Sequence, residues 1–96
     1  MEIEERAPRS VRPRQKPRVM AVDGGSYSKE LDDDLNNLAH GTFSTPAGQR
    51  FLQYLEGITT RRVLGPDAPD SHLRHLEGAR WLVGVIRQRM AAGKQQ

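Results

Sequence analysis

The chain has no cysteine, and aromatic residues make up only 5% of its 96 positions. Without cysteine there is no disulfide to staple the fold and no thiolate to hold zinc or an iron–sulfur cluster. Hydrophobic residues account for 35%, against roughly 45–50% in an ordinary globular domain. Long apolar runs are missing as well. The longest cluster, Trp81-Leu82-Val83-Gly84-Val85-Ile86, falls far short of the about 20 residues that a bilayer crossing needs. The acidic start Met1-Glu2-Ile3-Glu4-Glu5 leads into no apolar run, so no secretory leader is read. The expectation is a soluble protein made in the cytoplasm, with no membrane span.

What is present is charge, and it is segregated. Residues 1–18 carry +3, residues 19–40 carry −4 and residues 41–96 carry +4. Blocks of opposite sign point to segments that face different surroundings. A chain of this length buries only about 60–70% of the surface its unfolded form exposes. With no disulfide, the remaining staple is a partner chain.

Residues 1–28 read as an extended basic arm. Pro8, Pro13 and Pro17 disfavour helix. Arg6, Arg9, Arg12, Arg14, Lys16 and Arg18 punctuate the same stretch with almost no apolar company. These six cations are expected to contact nucleic acid or the acidic groove of a neighbouring subunit. Asp23-Gly24-Gly25-Ser26 reads as a turn or hinge.

A short acidic helix is expected over 29–40. Ser28 is its cap, Glu30 and Asp32-Asp33-Asp34 sit at the positive end of its dipole, and Leu31, Leu35 and Leu38 form a narrow stripe. Gly41 is read as its end.

A helical hairpin is expected over 43–92. Thr45 and Pro46 are a cap and a first-position proline, opening a helix to about Arg62. Leu64-Gly65-Pro66-Asp67-Ala68-Pro69 is a loop. Asp70 or Ser71 caps a second helix that runs to about Ala92 and stops at Gly93. Leu76, Ala79, Val83, Ile86 and Met90 recur at alternating spacings of three and four, a seam suited to packing on another helix. Trp81, Leu82 and Val85 add apolar surface beyond that seam. One hairpin partner covers one face, so a further neighbour is implied. Phe51, Leu55, Trp81, Val85 and Met90 are the positions expected to meet it. The fold class is therefore all-α: a helical hairpin plus a short N-terminal helix, preceded by the Pro/Arg-rich arm.

Catalytic patterns are scarce. His72 and His75 are three apart but lack a second ligand pair for a metal. Asp32-Asp33-Asp34 lacks the glycine and distal glutamate of a calcium loop. Gly24-Gly25 lacks the spacing of a phosphate cradle. No enzyme, cofactor, metal or small-molecule substrate is expected.

The stretch from Phe43 to about Met90 resembles a small tailed-phage structural-protein domain named after a Bordetella phage protein. The residues that carry the resemblance are Phe43, Thr45, Gly48, Phe51-Leu52, Leu55, then Glu77-Gly78-x-Arg80 with Val83 and Ile86. The resemblance implies a virion protein of a short-tailed phage, made in the host cytoplasm. The expected role is a multi-copy structural component at the portal vertex, as an internal core, ejected or adaptor-like protein. Expected partners are portal or core proteins, copies of itself and packaged DNA. The alternative is a small DNA-binding or regulatory protein that uses the basic arm. In the hairpin, Gly78 is read as allowing close helix approach, and Glu77 with Arg80 as a surface pair or a tie to the loop.

Overall fold

The computed structural model describes residues 17–94. A short antiparallel hairpin, β1 (Arg18–Met20) and β2 (Ser26–Ser28), leads into three helices: α1 (Lys29–Phe43), α2 (Pro46–Ile58) and α3 (Asp70–Lys94). The expected all-helical architecture is present, with the N-terminal helix and the α2–α3 hairpin in place. The backbone packing is most extensive between α1 and α3.

The hairpin corrects the reading of residues 1–28 as one extended arm, at least for its last eleven positions. Val19 faces Tyr27 across the ladder, and Arg18 and Met20 face Ser28 and Ser26. Gly24 takes a φ of 85°, which glycine adopts without a Cβ penalty. The Asp23 carboxylate accepts from the Gly25 N–H at 2.8 Å and from the Tyr27 hydroxyl at 2.7 Å. One aspartate thus ties the turn to the second strand. Residues 1–16, including Arg6, Arg9, Arg12, Arg14 and Lys16, lie outside the described residues.

Helix starts follow the sequence signals. The Ser28 hydroxyl accepts from the Leu31 N–H at 3.2 Å, and the Thr45 hydroxyl accepts from the Gly48 N–H at 3.0 Å with Pro46 in the first turn. α3 begins at Asp70, and the Pro69 carbonyl accepts from the His72 and Leu73 N–H groups, one residue before the first of the two expected caps, Asp70 and Ser71.

Helix ends differ more. α1 continues through Gly41 to Phe43, and the Ser44 N–H closes it on the His40 carbonyl. α2 stops at Ile58, short of Arg62, because Thr59 leaves helical geometry at φ −128°, ψ −83°. α3 passes Gly93 to Lys94. Glycine ends a helix by taking positive φ, and Gly41 and Gly93 do not take it.

The core is small. Leu52 is fully buried, and Leu76 and Val83 of the α3 seam are buried beside it in rank, with Ala79, Ile86 and Met90 partly buried. Close helix approach occurs at Gly48 and Gly93. A Cβ at Gly48 would overlap the Thr42 carbonyl, and one at Gly93 would overlap the Asn36 carbonyl of α1. Gly78 has open space around it. That corrects its reading as the contact glycine: it lies at an exposed position of α3.

Candidate interaction surface

Three arginines of α3 set the frame on which the exposed faces sit. Arg80 stands at the open C-terminal end of α2. Its Nε donates to the Thr59 carbonyl at 3.0 Å, Nη2 donates to the Arg62 carbonyl, and Nη1 donates to Glu77. A helix leaves its last carbonyls without internal partners. A guanidinium there supplies donors and a charge of the sign that the dipole favours. The Glu77-Gly78-x-Arg80 pattern therefore acts as a tie between α3 and the loop after α2.

Arg87 makes the second tie. Its Nε and Nη2 donate to the two carboxylate oxygens of Glu56 on α2, at 2.7 and 2.8 Å. This fork-to-fork geometry is the strong form of the pair. The Arg87 hydrogen bonds hold the Glu56 carboxyl below its ordinary pKa, with Arg61 nearby adding to the effect, and Glu56 in turn raises Arg87.

Arg89 makes the third and is buried. Its Nη1 donates to Asn36 Oδ1 at 2.8 Å and to the Asp32 carbonyl at 3.2 Å. The Asp32 carboxylate lies 3.0 Å from the same nitrogen as an ion pair, off the line of a hydrogen bond. Asp23 stands 3.7 Å from Nη2, and the guanidinium lies 5.9 Å from the centre of the Tyr27 ring. Arg89 thus joins the β-hairpin, α1 and α3. The Tyr27 hydroxyl and the Gly25 N–H hold the Asp23 carboxyl below its ordinary pKa, and the same bond to Asp23 raises Tyr27.

Large apolar side chains remain outside these ties. Phe51 and Tyr54 are both 57% exposed, with ring centres 5.6 Å apart. Below them a groove of about 620 Å³ runs between α2, the following loop and α3. Tyr54, Ile58, Leu64, Leu76 and Ala79 give it an apolar lining, and Arg62, His72 and His75 give it a basic one. On α3, Trp81 is 55% exposed and Leu82 beside it is equally open.

The expected partner-binding residues are not brought to one place. Phe51 lies on the outer face of α2 with Ala47, Arg50 and Tyr54. Leu55 and Val85 are half-buried. Trp81 stands on an exposed face of α3, and Met90 lines a separate hollow with His40, Ser44 and Gln49 where α1 and α2 meet α3. Arg18, the one cation of the arm within the described residues, donates to the Ser26 hydroxyl and carbonyl. Tyr54 and Ile58, apolar residues of the same helix, are not among the expected partner-binding residues. Their spacing from Ala47 and Phe51, at 47, 51, 54 and 58, is the helical stripe that could have shown them.

Among the described residues, no group of three or more His, Cys, Asp or Glu is placed to hold a metal ion. No helix among them is long and apolar enough to cross a membrane. The arrangement offers surfaces for contact.

A family model described as Bbp19-like phage protein matches residues 39–95, and the chain belongs to that family. No curated protein and no solved structure gives a significant match. The match takes in the last turn of α1, all of α2 and α3, and with them the Arg80 and Arg87 ties. The Asp23, Asp32 and Asn36 partners of Arg89 lie before it.

Proposed function

We propose that this member of the Bbp19-like phage protein family is a non-catalytic structural component of the virion, present in multiple copies. Its place is the portal vertex, as an internal core, ejected or adaptor-like protein. The α2–α3 hairpin docks on ring proteins there, and the basic arm reaches along neighbouring subunits or toward packaged DNA.

The observation that carries this reading is the family match over the helical unit. The surface supports it. A chain of 96 residues that leaves Phe51, Tyr54, Trp81 and Leu82 exposed has apolar area to cover, and such area on a small protein marks a contact site. The placement of polar groups supports it too, because the pKa-shifted side chains, Asp23, Tyr27, Glu56 and Arg87, are engaged in ties that hold the fold.

Cross-linking mass spectrometry of intact, purified particles tests the proposal. The expected result is peptides of this chain joined to portal-vertex proteins. Cross-links confined to the capsid shell, or absence of the chain from the particles, would overturn the placement.

A further inference from the structure

Two exposed faces of this chain have apolar residues at the same spacing and carry opposite charge. On α1, Leu31 and Leu38 are exposed seven residues apart, with exposed Asp34 between them and no Cβ-sized obstruction at Gly41. On α2, Phe51 and Ile58 are exposed seven residues apart, with Tyr54 between them. At about 1.5 Å per residue both stripes span about 10.5 Å. The α2 stripe opens onto the groove lined by Arg62, His72 and His75, in which no carboxylate takes part, and Arg50 flanks its other end. Neither Arg50 nor Arg62 has a side-chain ion pair among the described residues, and neither has Asp34.

From this we infer that the outer face of α1 on one copy docks on the α2 stripe and its groove on the next copy. Leu31 and Leu38 meet the stripe of Phe51 and Ile58 with Tyr54 between them, and the acidic charge of α1 faces the basic rim. The chain's own residues 1–16 are a poor occupant, because they carry five basic against three acidic side chains and the rim would repel them. The two faces are different patches of one chain, so the contact is head-to-tail. Such contacts close into rings when the rotation between copies permits. The inference rests on the multi-copy reading above and gives it a specific interface.

The full-length chain and two variants, each altered only at exposed positions, test it by light scattering after gel filtration, with circular dichroism as the folding control. Leu31→Gln/Leu38→Gln removes the α1 face, and Tyr54→Gln/Ile58→Gln removes the groove face. The wild-type chain is expected to assemble beyond a dimer. Each variant alone should keep its helicity and associate at least tenfold more weakly. An equimolar mixture of the two variants retains one intact interface per pair and should give a two-chain species and nothing larger.

A wild-type chain that stays monomeric at its highest soluble concentration would overturn the inference, as would variants that assemble like the wild type, or a mixture that stays monomeric. A monomer that binds a single-stranded oligonucleotide, with binding lost in Tyr54→Gln/Ile58→Gln, would put nucleic acid in the groove instead. None of these results bears on whether the chain is found in particles, which mass spectrometry reads separately.

Discussion

Arg89, near the end of α3, donates a 2.8 Å hydrogen bond to Asn36 of α1, and both side chains are buried. A charge there is tolerated because Asp32 and Asp23 stand beside it. Breaking a buried pair by removing one partner costs about 3–5 kcal/mol, since the other charge is left without compensation. Arg89→Ala, which removes the buried guanidinium and its hydrogen bonds to Asn36 and the Asp32 carbonyl while leaving partly exposed carboxylates, should lower the urea midpoint. Asn36→Ala, which leaves Asp32 in place, should cost about 1–3 kcal/mol. Urea titration followed by circular dichroism measures both.

Arg80→Ala tests a more local effect. It strips the Thr59 and Arg62 carbonyls of their donors. Amide exchange should quicken in the last turn of α2 and through residues 59–62, while the α1–α3 contact keeps its protection. The expected loss is about 1–3 kcal/mol for the exposed end. Uniform loss of protection over all three helices would contradict a local role.

Glycine substitutions should divide by position. Gly93→Ala and Gly48→Ala place a methyl group against backbone and should destabilise by about 1–3 kcal/mol or more. Gly78→Ala meets nothing within 4 Å in the middle of α3. It should stabilise by roughly 0.5–1 kcal/mol, because alanine has less backbone freedom to lose. Thermal unfolding of the three variants gives the ranking.

The pH dependence follows from the paired side chains. Asp23 and Glu56 have folded pKa values below their ordinary ones. Their stabilisation is complete above the ordinary carboxyl range of about 4. It is lost as pH falls through the lower folded values, since the unfolded state then binds more protons. Tyr27 is raised, so its contribution is complete below about 10 and is lost as pH rises through the higher folded value. Unfolding midpoints measured across pH should fall at both ends, and Glu56→Gln should flatten part of the acid limb.

Local signals were legible in the sequence. Ser28, Thr45 and Pro46 announced two helix starts, and the spacing of Leu76 and Val83 announced the buried side of α3. What was not legible depends on residues far apart in the chain. Arg89 at a helix C-terminus looks like any cation favoured by the dipole, and only the fold brings Asn36, 53 positions away, against it. The strands of the β-hairpin, three residues each, are too short to show alternation, and Pro17 just before them, with Arg18 at their start, favoured an extended reading. Gly93 looked like a helix stop and proved to be a contact glycine, a difference set by the α1 backbone opposite it. The site was legible in part. Phe51 and Trp81 are exposed, whereas the groove beside Tyr54 and Ile58 required the path of the loop after α2.

As proposed, this chain is built into the particle in several copies. Quantitative mass spectrometry of repeatedly banded particles, from the phage that encodes it, tests that directly. Peptides of this chain are expected at a constant ratio to the portal protein, corresponding to more than one copy per particle. Absence of those peptides, or an amount that falls with each round of banding, would contradict it.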